Sequence, residues 1–420
     1  MSQATPTQKE PVQRAIPDKK RGPDIPSIRE IRLSNLLSFG PKTPSLPLGP
    51  LNVLIGPNGA GKSNLIEALA LMRATPVSPD SGGSGDVRSV LRRSGGVSEW
   101  IWKGDKAAKA SVYLEIWNAQ RMGPLVHFFE FCFDGEGFGL SDERILRRRL
   151  DGLGTILFHP YSLNGGKPQV SLKGSPRLKA IPISVERNVS IIAQLRDPKE
   201  YPEISLLADT YLKWRIYREW SFGRNTVFRT PQRADSRNDR LEEDFSNLGL
   251  FLSRLGKSPK AKRDIVDGLS DLYEGFTNFE VIVEGGSVQV FFTEGDFSIP
   301  ATRLSDGTLR YLCLLAILCD PTPPPLICIE EPELGLHPDI IPSLAKHLVA
   351  ASERTQLIVT THSDILVDAL SDCPESVVIC EKHDGATEMT RLNKDDMKVW
   401  LEKYRLGELW IQGQLGGTRW

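Results

Sequence analysis

The chain has 420 residues with 52 Lys and Arg against 53 Asp and Glu, for a formal net charge of −1. That length suits two or three domains, or one large α/β domain with an insertion, and the balanced charge excludes a general attraction to nucleic acid or anionic lipid. No apolar run approaches the ~20 residues that span a bilayer, no signal-peptide core opens the chain, and the six cysteines contain no C-x-x-C pair, so the expectation is a soluble protein of the reducing cytoplasm with no membrane partner.

Residues 1–26 carry five prolines and almost no large apolar side chains, the composition of a disordered tail. Order is expected to begin where Ile28, Ile31, Leu33, Leu36 and Phe39 enter a sheet, followed by a second strand in LNVLIG and by helical spacing in SNLIEALALMRA. After a Gly/Ser-rich stretch, SEWIWKG, ASVYLEIW and LVHFFEFCFDGEGFGL alternate as antiparallel strands do, giving a β-rich layer on the first lobe. From 191 to 275 the spacing turns mainly helical, interrupted by an Arg-rich loop, and reads as an insertion between two halves of one core. FEVIVEGGSVQVFF is a hairpin about its Gly-Gly, and LICIEE, QLIVTT and SVVICE then alternate with helices, the mark of a parallel, helix-covered sheet. The expected organisation is a tail (1–26), a first lobe (27–190), a helical insertion (191–275) and a second lobe (276–420).

GPNGAGKS, between a strand and an amphipathic helix, matches G-x-x-x-x-G-K-[S/T] in full. Glycines let the loop curl so that successive N–H groups face phosphate oxygens. The candidate nucleotide-binding set is Gly56, Pro57, Asn58, Gly59, Ala60, Gly61, Lys62, Ser63 and Asn64. Lys62 would meet the β- and γ-phosphates and the Ser63 hydroxyl Mg²⁺, at the positive end of the helix dipole. A Gly-rich turn alone would need neither the lysine nor the serine.

A phosphate-binding loop of this kind needs a second strand whose end turns one carboxylate to the metal and another to the attacking water. LICIEE is such a strand: Glu330, where aspartate is more usual, is the candidate Mg²⁺ residue, and Glu331 the candidate base.

The order of LSDGTLRYL, the Glu-Glu strand, ELGLHP and TTHS resembles the motif set of ABC-type ATPases, and more narrowly the SMC/RecF/OLD-like branch. The ending LGELWIQGQLGGTRW is similar to bacterial predicted AAA-type ATPases with a Leu-Gly-Glu-Leu-Trp … Gly-Gly-x-Arg-Trp tail. The resemblance implies an α/β P-loop NTPase fold, an ABC-ATPase-like head with an antiparallel β layer and a mainly helical insertion, using ATP and Mg²⁺. It implies that Leu304, Ser305, Asp306 and Gly307 head a signature helix contacting the γ-phosphate held by a second subunit, and that His362 senses that phosphate. It also implies that ELGLHP meets its twin across an ATP-dependent homodimer. Asp306 replaces the glycine of transporter-type signatures and brings a negative charge toward a phosphate; locally, the same residues also read as an ordinary N-capped helix. Gln194 is the candidate for a Mg²⁺-contacting glutamine.

The segment 213–240 carries eight Lys/Arg against three Asp/Glu with interleaved Trp214, Tyr217, Trp220, Phe222 and Phe228. It fits nucleic-acid contact by phosphate pairing and base stacking, or a helix with buried aromatics and a solvated Arg-rich loop; Arg144–Leu150 carries the same two readings. The function expected is a nucleotide-gated dimeric ATPase switch controlling a separate effector, such as a nuclease, in DNA maintenance or anti-phage defence. OLD-like relatives carry a TOPRIM nuclease domain after the ATPase, and the chain beyond His362 is too short for one. An ATP-stabilised scaffold or DNA clamp is the alternative, and a transport-energising subunit ranks last.

Overall fold

The computed structural model describes residues 27–81, 85–104, 109–117, 124–135, 137–150, 155–164, 167–171, 178–180, 186, 188–220, 223 and 226–417. The tail expected at 1–26 lies outside them.

The chain opens with β1 (Ser27–Ser34), β2 (Leu46–Pro47) and β3 (Leu51–Ile55), then α1 (Lys62–Ala74), α2 (Val87–Arg93) and α3 (Val97–Trp100). Six strands follow: β4 (Ala110–Trp117), β5 (Leu125–Phe133), β6 (Phe138–Leu150), β7 (Thr155–Asn164), β8 (Lys167–Ser171) and β9 (Leu178–Ala180). The middle comprises α4 (Ile191–Gln194), α5 (Pro202–Lys213), β10 (Arg215–Tyr217), β11 (Gln232–Arg233), α6 (Leu248–Leu255) and α7 (Pro259–Leu272). Next come β12 (Phe276–Glu284), β13 (Ser287–Glu294), β14 (Phe297–Pro300), α8 (Asp306–Leu318), β15 (Leu326–Glu330), α9 (Ile341–Ser352) and β16 (Gln356–Thr360). The chain closes with α10 (Asp364–Asp368), β17 (Val377–His383), β18 (Ala386–Arg391), α11 (Lys394–Leu401) and α12 (Leu406–Ile411).

These elements form three sheets. The central one has the order β10-β15-β16-β3-β17-β18, parallel except for the β17–β18 hairpin. Its strands are short apolar runs because both faces are covered. Alternate residues go to opposite cores: Ile327 and Ile329 of β15 pack with α6 to α9, whereas Leu326 and Cys328 pack with α1, α5 and the β layer. That layer is the antiparallel sheet β2-β1-β4-β5-β6-β7-β8-β9, as the alternation in ASVYLEIW and LVHFFEFCF predicts. The third sheet pairs β13 with β11, β12 and β14, and its hairpin turns at Gly285 and Gly286, both at positive φ (57° and 78°), the left-handed backbone that a tight two-residue hairpin turn requires.

Two expectations are corrected. SEWIWKG is not a strand: Val97–Trp100 is a helical turn that buries Trp100, and only Ile101 makes an isolated bridge, to Leu36. Three consecutive apolar residues, Trp100 to Trp102, are too few to separate the two periods. The segment 191–275 carries helices α4 to α7 over less than half of its residues, and it is not a body apart, because β10 inside it forms the edge of the central sheet, pairing Arg215, Ile216 and Tyr217 with Ile327, Cys328 and Ile329.

A buried polar network ties the β layer to this segment. Glu143, fully buried on β6, accepts from the Ser190 hydroxyl (2.6 Å) and the Ile191 amide (2.8 Å) and meets His127 Nε2 (3.1 Å), whose Nδ1 lies 2.8 Å from the Tyr211 hydroxyl.

Candidate nucleotide-binding site

β3 delivers the chain to the phosphate loop at the C-terminal edge of the central sheet, where ligands of such sheets bind. Gly56, Gly59 and Gly61 all take positive φ (143°, 78° and 97°). The requirement at Gly56 is steric as well, since a Cβ there would lie 2.2 Å from the Cys380 carbonyl oxygen. A Cβ on Gly61 would meet the hydroxyls of Thr387 and Ser38 at 2.3 and 2.6 Å. Lys62, buried at the head of α1, donates to the carbonyls of Gly56 (2.8 Å) and Pro57 (3.0 Å), so its ammonium sits inside the loop's curl. Asn58, Gly59 and Ser63 are exposed, whereas Ala60 is buried and its carbonyl accepts from Thr387 (2.9 Å).

The Asn64 amide donates to Ser38 (2.7 Å), which also takes the Thr387 hydroxyl (2.6 Å), a brace from β18 that reading the motif alone did not show. The C-terminal segment supports the loop from behind: Trp410 Nε1 donates to the Gly417 carbonyl (3.0 Å) and the Gly417 amide to Glu381 (2.7 Å). A Cβ on Gly417 would sit 3.4 Å from the Gly56 Cα, so the glycine admits the tail beneath the loop.

Glu330 closes β15, and its carboxylate stands beside the Ser63 hydroxyl. Burial raises its pKa above the usual carboxylate range, the Arg218 guanidinium pulling the other way. Its Oε1 is buried without a partner. A hydroxyl beside a half-buried carboxylate whose Oε1 has no partner fits Mg²⁺ that completes its shell with phosphate and water. Among the described residues no group of three or more His, Cys, Asp or Glu could hold a metal by itself.

Glu331 has φ 45°, a left-handed conformation unusual outside glycine. Its amide donates to the Thr360 carbonyl (3.0 Å) and its own carbonyl accepts from Arg310 (2.9 Å), so both neighbours hold the bend. The bend points its half-exposed carboxylate to His362, with Oε1 3.7 Å from Nε2. Arg310 lies over Trp220, whose indole N–H donates to the Glu330 carbonyl (3.0 Å). Burial lowers the Arg310 pKa to about 10.

Sequence reasoning passed over Glu333. Buried, it accepts from the Thr361 hydroxyl (2.6 Å) and the His362 amide (2.9 Å), which fixes the histidine's backbone. Burial raises its pKa, and those two bonds oppose the rise. The E-x-x-E spacing of Glu330 and Glu333 was the available signal.

At the signature, Ser305 N-caps α8 through the Thr308 amide (3.1 Å) and is exposed with Asp306. The Leu304 side chain is buried in the core. A Cβ on Gly307 would stand 2.8 Å from the Gly335 carbonyl oxygen in ELGLHP, so the two loops touch within one chain. Arg229 answers the charge of Asp306: Nη2 reaches Asp306 (2.5 Å) and the Leu304 carbonyl (2.9 Å), Nη1 the Thr302 carbonyl (2.6 Å), and Nε the Gly223 carbonyl (3.0 Å).

Two candidates do not join the site. Gln194 spends its amide on Glu186 and Val189 backbone groups. In 213–240, Trp214 and Tyr217 are buried, Trp220 stacks on Phe245, and Arg218, Arg229, Arg233 and Arg237 pair with Glu67, Asp306, Asp235 and Asp239. Of the two readings of this segment, these contacts match the packed-aromatic one for Trp214, Tyr217 and Trp220; Phe222 and the Phe228 side chain lie outside what the structure describes. Arg144 and Arg147 likewise pair, with Asp142 and Glu203.

A parallel sheet carrying a phosphate loop, a strand-end Glu-Glu and a signature helix defines an ABC-type P-loop ATPase of the SMC and OLD kind. The chain belongs to the family described as "AAA domain, putative AbiEii toxin, Type IV TA system", whose profile matches residues 51–116 and 126–368. It is 23% identical over 390 residues to the Old nuclease of Escherichia phage P2, covering 85% of this chain and 60% of that protein. In fold it is similar to an SMC head bound to the C-winged helix domain of ScpA (TM-score 0.53, 14% identity, 88% of this chain and 99% of that one). A Pyrococcus furiosus Smc head domain with an extended coiled coil, bound to the C-terminal domain of ScpA, gives TM-score 0.51 and 16% identity over 90% of this chain and 99% of that one. Among the described residues no helix is long and apolar enough to cross a membrane.

Proposed function

We propose that this chain binds and hydrolyses ATP with Mg²⁺, as a dimer in which each phosphate loop is closed by the partner's signature helix. The observation that carries this reading is the partnerless carboxylate oxygen of Glu330 beside Ser63, one residue before a Glu331 bent toward His362. Mg²⁺ would supply charge neutralisation at the β- and γ-phosphates, held by Ser63 and Glu330. Lys62 and the loop amides take up the charge that develops on the transferred phosphoryl group. Glu331 orients the attacking water and accepts its proton, and His362, its backbone fixed by Glu333, faces that carboxylate. Ser305 and the Gly307 amide, exposed at the start of α8, offer a helix N-terminus to a nucleotide held by a second copy.

The likeness to a nuclease supports an output in nucleic-acid processing, with the ATPase gating an effector in DNA maintenance or defence. Lys62→Ala tests the nucleotide reading. It should abolish ATP binding in calorimetry at unchanged melting temperature, and wild-type affinity in that variant would refute the reading. Negligible turnover by a wild-type protein that dimerises with ATP would favour the scaffold alternative.

A further inference from the structure

Arg218 follows the last residue of β10, and the pairing of Tyr217 with Ile329 sets it level with Glu330 on the neighbouring strand. Its guanidinium turns back to α1, where Nη1 lies 2.5 Å from Glu67 Oε1. Glu67 stands one helical turn beyond Ser63, on the same face of α1. Ser63 stands beside Glu330, so Ser63, Arg218 and Glu330 line the metal side of the candidate site, and Glu67 is the acid that pairs with Arg218.

Two atoms of this lining, Arg218 Nη2 and Glu330 Oε1, are buried without a hydrogen-bond partner. Buried polar atoms almost always have one, so a free donor and a free acceptor in one lining ask for a ligand that meets both. A phosphate oxygen satisfies the first and a cation or its water the second. β10 pairs directly with β15, so Arg218 starts one strand spacing, about 5 Å, from Glu330, and its guanidinium carries the planar donor set that suits a phosphate oxygen beside the metal side of the site.

We propose that Arg218 donates through Nη2 to the terminal phosphate of a nucleoside triphosphate bound in the same chain, and so sets the preference for triphosphate over diphosphate. The proposal rests on the nucleotide-binding reading above. A residue that merely held Glu67 in place would not discriminate between the two ligands.

The test is calorimetry on the full chain with Mg²⁺ and either AMP-PNP or ADP, for wild type, Arg218→Ala and Glu67→Ala, each with a thermal melt. Arg218→Ala should weaken AMP-PNP binding about ten- to hundred-fold, the range of one charge-assisted hydrogen bond, while ADP binding stays within about two-fold. Glu67→Ala should keep the wild-type preference. An unchanged AMP-PNP to ADP ratio in Arg218→Ala, or equal loss of both ligands, overturns the proposal. So does a Glu67→Ala variant that loses the preference as Arg218→Ala does. If Arg218→Ala does not fold, Arg218→Gln replaces it with the same outcomes. A wild type that binds neither nucleotide refutes the underlying reading instead.

Discussion

Arg229→Ala isolates the brace on the signature loop. In the native chain one guanidinium reaches Asp306 and the carbonyls of Thr302 and Leu304 around the start of α8, and a fourth bond anchors it to Gly223. The Arg229–Asp306 side chains are 18% and 50% exposed, so the ion pair is worth only about 0.5–1 kcal/mol. The two carbonyl bonds add about 0.5–1 kcal/mol each, and the loop's share of the brace is about 2 kcal/mol, or roughly thirty-fold in a step that needs the loop ordered. A steady-state phosphate-release assay on Arg229→Ala should show that loss, with ATP affinity and melting temperature little changed. Asp306→Asn removes only the charge and should cost no more than about three-fold. Turnover in Arg229→Ala within about three-fold of wild type, or an Asp306→Asn variant as damaged as Arg229→Ala, would refute the reasoning.

Two further predictions concern a half-buried and a fully buried carboxylate. The Glu330 pKa is raised above its ordinary 4.5, chiefly by burial, so the folded chain holds that proton more tightly than the unfolded one, and ionising it costs stability as pH rises. Nucleotide-free Glu330→Gln should therefore melt above wild type at about pH 8, by a margin that shrinks as the pH falls toward 4.5; a margin that grows on acidification contradicts this. Glu143→Ala leaves the Ser190 hydroxyl, the Ile191 amide and His127 without their buried acceptor and should cost about 3 kcal/mol or more in urea unfolding. A loss below about 1 kcal/mol would mean the network is not holding the β layer to α4 and α5.

What was legible in the sequence was local chemistry on a strongly patterned element. The phosphate loop, the Glu-Glu strand end, the Gly-Gly hairpin and the parallel strands each declare themselves within about ten residues. What was not legible depends on distant partners. β10 is three residues long and becomes a strand only against Ile327–Ile329. Arg229 and Arg218 looked like members of a basic patch because their acids, Asp306 and Glu67, lie far away along the chain. Asn64 directly follows the motif, but Ser38 and Thr387 claim its neighbourhood. Glu333 differs in chemistry from none of the surface glutamates; only its bonds to Thr361 and His362 mark it out.

The central claim is that Glu331 performs hydrolysis at a site shared by two copies. Light scattering of Glu331→Gln with Mg·ATP, run beside a phosphate-release assay, tests it most directly. The account predicts ATP bound, a persistent dimer that ADP does not support, and turnover lowered by at least about a hundred-fold. A Glu331→Gln protein that turns over ATP at the wild-type rate, or remains a monomer with ATP bound, would contradict it.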